Sequence, residues 1–570
     1  MNFTNRTLRS LFIAAALTVI AAATALAQPA NLPNFDRRSN FDAQHYVLRV
    51  SFNRAARSVN GDTTVILKPL AEGFTTFDLD AVGLSFTSVK LEPAGTDLKH
   101  TQIAGGVRIV LDRSYGPTDT ISVRLKYTAT PKKGIYFVDA ETDPRRVLHS
   151  DQIWTQGEPE EARHWFPSFD FPSDKATTEE YITVDADETV IGNGEFLGKS
   201  DAADGKVTWH YKMPVAHSTY LVSFVVGKYA RIDDNSGSVP LAYYVYPGKE
   251  DTGRRAFSQT SKMIPVYEKV TGVKFPYNKY DQTIVASFQF GGMENITATT
   301  MADTEIFFGD FDFGKDVVTD LVSHELAHSW FGDLVTCRNW AELWLNEGFA
   351  TYMEAVYREN TNGREDYMRK VRFDAATFLA DDAVTKRRHG LYNLRAGDPD
   401  KLFDNASVTY NKGGVVLHML REQVGTEAFW KAVNAYLNKH KFGSVISTDL
   451  KAAMEEASGQ DLAWFFDQWV YSSGSPKVTV RPVYSTRSKT LTMTVTQTQK
   501  ADAIVPAAFR LPLDVAVKTV GGTENKSVDI RQRIEKITMK LPAKPKSVEF
   551  DPSGKVLAMN VQVLPVTVVK

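Results

Sequence analysis

The chain has 570 residues, with 66 Lys and Arg against 68 Asp and Glu, for a formal net charge of −2. That length exceeds one hydrophobic core and predicts roughly two to four domains. With 43% hydrophobic and 24% charged residues the composition is that of an ordinary globular protein. Its near-neutral balance leaves no electrostatic footprint for nucleic acid or for a basic membrane surface.

Arg6 and Arg9 precede the apolar run LFIAAALTVIAAATALA, which ends in Ala25-Leu26-Ala27 just before Gln28. Basic residues, an apolar stretch and a small-x-small site are the pattern of a cleaved secretory signal peptide over residues 1–27. A membrane anchor is the rival reading. At 17 residues and rich in alanine, the run is at the short end for a span. The expectation is an exported protein, periplasmic or extracellular, with no stable membrane span after cleavage. The residue directly after the cleavage site is Gln28 and not cysteine, which argues against a lipoprotein. Cys337 is the only cysteine, so no intrachain disulfide can form and the residue reads as a small buried hydrophobe.

Residues 28–240 carry strand-like patterns. YVLRVSF places Tyr46, Leu48, Val50 and Phe52 on one face, and TTFDLDAV, RIVLD and ISVRLKYTA continue the short strands between turn residues. A large β-sandwich or saddle is expected. The period changes over residues 241–475. RRAFSQTSKMIPVYEKVTG reads as a helix stopping at Gly272, followed by helical stretches at Asp316–Phe331, Leu343–Arg358 and Val408–Val424. From 476 to 570 the alternation returns in LTMTVTQ and LPLDVAV, where Leu511, Leu513, Val515 and Val517 share a face. A small C-terminal β-sandwich is expected there, and the chain as a whole is multidomain α+β.

The chemistry concentrates in the middle segment. In LVSHELAHSWFGDLV, His324 and His328 are four apart, so on a helix they lie on one face and can offer nitrogens to one ion. Glu325 is rotated off that direction and can reach a metal-bound water. A catalytic zinc takes three protein ligands and keeps a fourth position open. Glu347, 19 positions after His328 in AELWLNEGFATYMEAVY, sits on a second helix-like run and completes a His, His, Glu set. Glu342, before that helix, and Glu354, two turns on, are the competing carboxylates. A structural zinc would need a fourth protein ligand, and no Cys or His is placed to supply it. One catalytic Zn²⁺ per chain is therefore expected.

Upstream stands FQFGGMENIT. Its glycines permit close backbone approach, and Glu294 would bring a carboxylate near the metal without ligating it. An α-ammonium is a suitable partner for such a group, although the motif alone could be a surface turn. Gln156 and Phe290 are candidates for lining the first side-chain pocket, a reading open to any polar or aromatic residue near a cleft.

Taken together, GGMEN, HELAH with its 18-residue gap to Glu347, and HSWFGDLVT with LWLNEGFATYME resemble the zinc aminopeptidases of the aminopeptidase N and leukotriene-hydrolase type. TQGEPEEARHWFPSFDFPSDKA, FDNASVTYNKGGVVLHML and FFDQWVYSSGSPKVTV extend the likeness to most of residues 33–570. The resemblance implies a thermolysin-like catalytic domain between the two β domains. It also implies that His324, His328 and Glu347 bind zinc, with Glu325 as general base. Glu158 and Glu294 would hold the substrate's free amino group, Gly291 and Gly292 would lend backbone groups, and Tyr410 would donate to the tetrahedral intermediate. Peptides with a free N-terminus are then the expected substrates. Two departures stand out. Ser168 replaces a frequent cysteine, and the chain stops before the helical domain that closes the cavity in relatives. Three alternatives remain at this level: a zinc endopeptidase, which an amine anchor opposes; an epoxide hydrolase, which needs residues of the missing domain; and a non-catalytic peptide-binding scaffold, which the intact motif positions oppose. Side-chain preference and oligomeric state are not written in any motif.

Overall fold

The computed structural model describes residues 32–570; the signal-peptide segment lies outside them. The first domain is built on an eight-stranded sheet. Its central strand, Phe41–Asn53, pairs in parallel with Lys175–Asp185 and antiparallel with Ser58–Pro69. The predicted alternation holds: Tyr46, Leu48 and Val50 are buried and Phe52 packs against the same core. A three-stranded sheet (Phe74–Asp80, Gly106–Tyr115, Lys99–Ile103) and a four-stranded one (Thr189–Gly192, Phe224–Gly227, Gln152–Thr155, Ile135–Val138) complete the domain. The four-stranded sheet leads into two of the candidate site residues. Its strand Gln152–Thr155 ends immediately before Gln156 and Glu158, and so delivers both to the edge of the domain.

The second domain opens with a five-stranded sheet in the order Ala230–Asp234, Leu241–Val245, Tyr280–Val285, Ala298–Ala302, Gly292–Met293. Its first hairpin pairs residues on both sides of position 241 (Asp234 with Leu241, Ala230 with Val245), so this sheet begins ahead of the expected boundary. Gly292–Met293 is an edge strand, paired on one side only, with Ala298–Ala302.

Among the described residues the main α-helices that follow the sheet or interrupt it are α1 (Glu250–Ala256), α2 (Thr260–Thr271), α3 (Asp303–Phe308), α4 (Lys315–Ala327), α5 (Trp344–Asn362), α6 (Arg364–Val384), α7 (Gly413–Val424), α8 (Thr426–His440) and α9 (Ser447–Ser458). A short further helix, Ala463–Phe466, leads out of the domain. Three corrections to the sequence reading arise here. The pattern over 254–272 is two helices, because α1 packs on the strands Ala230–Asp234 and Leu241–Val245 while α2 turns to face α4 and α5. The helix bearing the two histidines ends at Ala327, so His328 is its C-terminal capping residue, still with right-handed helical angles. The stretch 408–424 is not one regular helix: Val408–Lys412 is a π-helical turn leading into α7.

Helix α7 reaches α5 through two glycines. A β-carbon on Gly413 would stand 2.7 Å from the Gly348 Cα, and one on Gly348 would stand 3.0 Å from the Gly413 Cα. Any side chain here would push the helices apart. The close crossing sets the turn that carries Tyr410 beside Glu347, the residue before Gly348.

The last domain holds two sheets. One contains Lys477–Ser485 and Thr490–Gln497, the other Gly522–Ile530, Leu511–Thr519 and Ser547–Phe550. Leu511, Leu513, Val515 and Val517 are all buried, as the alternation predicts. The domain is docked on the helices through His418, whose Nε2 lies 2.8 Å from the Gly554 carbonyl. Among the described residues no helix is long and apolar enough to cross a membrane.

Candidate active site

His324 and His328 project from the end of α4 towards α5. The His324 Nδ1–H donates to Glu354 Oε1 at 2.8 Å, and the His328 Nδ1–H donates to the Phe331 carbonyl at 2.8 Å. An ionised carboxylate and a carbonyl can only accept, so both Nδ1 atoms carry protons, and in the neutral rings that a metal requires both Nε2 lone pairs are available to ligate. Those atoms face one carboxylate oxygen: Glu347 Oε2 lies 3.2 Å from His324 Nε2 and 3.4 Å from His328 Nε2. Two imidazole lone pairs and a carboxylate gathered at one buried point want a cation between them. The three residues also satisfy the distances of a metal-binding group, with ligand atoms within 4.8 Å of one another. Two other groups meet that test, Glu294 with Glu325 and His328, and Glu158 with Glu294 and Glu347. Only the first brings both histidines together, the donor set that suits zinc.

The competing carboxylates resolve cleanly. Glu342 points away and accepts from the Ser447 hydroxyl. Glu354 stands outside the His, His, Glu cluster and accepts from His324 Nδ1, the arrangement of a carboxylate behind a metal-binding histidine. Asp333, five residues beyond His328, does not share that role. Its backbone N–H donates to the His328 carbonyl at 2.9 Å and its own carbonyl accepts from Lys175 Nζ at 3.0 Å.

Glu325 is buried among these groups. A β-carbon on Gly292 would overlap its carboxylate, so the second glycine of GGMEN leaves the room that the Glu325 side chain occupies. On Gly291 the added carbon would meet Leu321 Cδ1 at 3.1 Å. Glu294 Oε1 stands 3.8 Å from His328 Nδ1 and accepts from the Tyr220 hydroxyl at 3.4 Å. Asn346 in turn donates to that hydroxyl at 3.3 Å. Glu158 is buried, and its Oε1 has no hydrogen-bond partner. The Gln156 side chain donates to Met293 Sδ at 3.1 Å and leaves its own oxygen unpartnered. The Tyr410 ring lies near-parallel to that of His324, 18° and 6.0 Å between centroids. The seven residues singled out on sequence for metal, base, amine and oxyanion roles, together with Gly291, Gly292 and Gln156, line one cleft of about 590 Å³, and Phe290 and Phe403 form part of its wall.

Burial sets the electrostatics. It pushes Glu325 up to about 8, against the pull of His324 and His328. It raises Glu158 well above the usual carboxylate range, helped by Glu294, and raises Glu294 despite His328. Burial opposes the charged form of Glu347, but His328 and His324 outweigh it and hold the group down at about 2. Burial also opposes the charged form of His324, yet hydrogen bonds to Glu347 and Glu354 push it up to about 9.

These shifts set the pH dependence of the metal-free protein. The His324 contribution to stability is complete below 6.5, its unfolded value, and is lost as pH rises through about 9. A Glu325 carboxyl raised from 4.5 to about 8 acts in the same direction, because ionising it costs more in the folded state. The melting temperature of chelated protein is therefore expected to fall as pH rises from about 6 to about 9, and zinc-loaded protein should show a flatter profile. Thermal unfolding with and without chelator across this range checks it; a chelated protein that gains stability with pH would contradict the assignment of the buried charges.

Two family models match the chain: the peptidase family M1 domain over residues 255–469 and the peptidase M1 N-terminal domain over residues 42–221. The chain belongs to peptidase family M1. The family resemblance seen in GGMEN and HELAH is thus borne out, and so is the multidomain α+β architecture. Among curated M1-type relatives, the chain is 34% identical to Aminopeptidase 2 of Candida albicans over 340 residues, 58% of this chain and 36% of that protein. It is 33% identical to Aminopeptidase N of Streptomyces lividans over 359 residues, 61% of this chain and 40% of that protein. It is 30% identical to Probable aminopeptidase 2 of Sulfurisphaera tokodaii over 406 residues, 70% of this chain and 50% of that protein. The matched stretch spans half or less of each of these relatives.

Proposed function

We propose that this M1 protein is a zinc aminopeptidase that hydrolyses the first peptide bond of peptides with a free N-terminus. The observation that carries this reading is the pair Glu158 and Glu294, buried beside the His, His, Glu set and contributed by separate domains, with a Glu158 oxygen that no protein group satisfies. Like charges buried close together are costly unless a cation joins them. A peptide's α-ammonium, making charge-assisted hydrogen bonds to both, is the cation that a peptidase cleft would receive.

His324, His328 and Glu347 would hold the zinc. When bound there, zinc supplies Lewis acidity that lowers the pKa of water and polarises a carbonyl. The remaining work falls to the chain. Glu325, raised by burial towards neutrality, takes a proton from the attacking water and passes it to the leaving amine. The Tyr410 hydroxyl stays protonated, because burial and the neighbouring carboxylates oppose its ionisation, and it donates to the oxyanion that appears only in the transition state. Glu158 and Glu294 fix the N-terminus at one distance from Glu325, so only the first peptide bond is presented. Edge strand Gly292–Met293 offers backbone groups to the extended peptide. Export through residues 1–27, to the periplasm or beyond, is part of the same proposal.

Incubation of zinc-loaded protein with an unblocked peptide, followed by mass spectrometry, tests this directly. Loss of residues one at a time from the N-terminus, abolished by chelator, is expected. Internal fragments as first products would favour an endopeptidase, and an intact peptide would favour a binding scaffold.

A further inference from the structure

Behind the metal site runs a closed chain of contacts that begins at His324 and returns to it. Glu354 accepts from His324 Nδ1 through Oε1, and its other oxygen, Oε2, lies 2.8 Å from Lys370 Nζ. Lys370 is only 7% exposed, on α6, and its ammonium also donates to both oxygens of Asp374 at 2.8 and 2.9 Å. Asp374 Oδ1 in turn accepts from the Asn411 side-chain amide at 2.9 Å. Asn411 follows Tyr410 on the π-helical turn Val408–Lys412, and the Tyr410 ring lies over that of His324. A nearby carboxylate, Asp320, is taken up by Arg358 at 2.7 and 2.8 Å. Lys370 is thus the cation set between Glu354 and Asp374.

We propose that Lys370 is a positioning residue that ties the zinc ligand His324 to the oxyanion donor Tyr410, with Asp374 and Asn411 as the linking arm. Lys370 and Asn411 border the cleft, but neither has a part in the proposed chemistry; both act through the residues they hold. The physical basis is that π-helical turns lack the regular hydrogen-bond ladder of an α-helix and are set by their surroundings. Here the Asp374 carboxylate fixes the turn by one side-chain bond, and that carboxylate is itself fixed by Lys370. On the other arm, the same ammonium holds the Glu354 carboxylate that sets the tautomer and angle of His324. Removing it leaves two buried carboxylates with no cation between them, which drives them apart and loosens both arms at once. Helix α6 therefore contributes to the site without placing a ligand in it.

This inference rests on the reading of His324 as a zinc ligand and Tyr410 as a donor, and the test separates the two. Zinc affinity is measured by competition with a chromophoric chelator, and kcat and KM are measured at saturating zinc, for wild type, Lys370→Met, Lys370→Arg, Asn411→Ala and the Lys370→Met/Asn411→Ala double variant. Lys370→Met is expected to weaken zinc binding by roughly 10–100-fold, the usual effect of disturbing a ligand's partner. With zinc restored it should still lower kcat by roughly tenfold or more, with KM little changed. Lys370→Arg should recover part of both. Asn411 is half-buried, and its replacement should fold normally, lower kcat and leave zinc affinity intact. The double variant should be no slower at saturating zinc than Lys370→Met alone, because both changes cut the same arm. Unchanged zinc affinity in a folded Lys370→Met, a normal kcat in Asn411→Ala, or additive losses in the double variant would each overturn the coupling. A wild type that takes up no zinc would overturn the functional reading itself, and this inference with it.

Discussion

Replacing Glu325 with Gln is expected to leave zinc bound and to reduce kcat by on the order of 10⁴-fold, the upper end for a group acting as both general base and general acid. Both histidines are oriented by Glu354 and the Phe331 carbonyl, so the substitution removes no ligand and no ligand's partner. Gln keeps the shape of the side chain, which lies directly over Gly292. The competing assignment is specific. Glu325 is also within ligand distance of Glu294 and His328, and a metal held by that group would be lost from the Gln variant. Metal analysis by mass spectrometry beside the activity measurement distinguishes them: activity lost with zinc retained supports the base, and a parallel loss of both contradicts it.

Replacing Tyr410 with Phe is expected to lower kcat by roughly 10²–10³-fold, the typical cost of one oxyanion donor, with zinc content unchanged. Tyr410 stands on an irregular turn held beside Glu347 by the Gly348–Gly413 crossing, and its ring packs on His324. Phe preserves that packing and removes only the hydroxyl. The loss should fall on kcat rather than KM, because the oxyanion does not exist in the ground state. Steady-state kinetics on an aminoacyl fluorogenic substrate would show the split. A near-normal kcat, or a loss confined to KM, would take Tyr410 out of the chemistry.

The site was more legible in the sequence than the frame around it. His324, Glu325 and His328 lie within one helical turn, where the helix period fixes relative direction, and this survives even though α4 stops at Ala327. Glu354 could have been placed by the same reasoning. It follows Glu347 by seven residues on α5, two turns along and on the same face, so a ligand at the first position puts a carboxylate behind the site at the second. Lys370, Asp374 and Asn411 carried no comparable signal, because their meeting depends on how α6 packs against α5 and the π-turn, which no local period encodes. The break between α1 and α2 was hidden for the same reason: the pattern is helical throughout, and only the different partners of the two halves separate them. Glu158 was reachable through the family likeness alone. It lies far in sequence from the metal-binding and base candidates, and the strand Gln152–Thr155 leads it to the cleft.

The central claim is that the buried pair Glu158 and Glu294 recognises a free amine. Its most direct test is the cleavage of two peptides identical except that one is N-acetylated, each incubated with zinc-loaded protein under the same conditions. Acetylation removes the positive charge and adds bulk where the two carboxylates sit. The free peptide should lose its first residue and the acetylated one should remain whole; efficient cleavage of the acetylated peptide at interior bonds would contradict the claim.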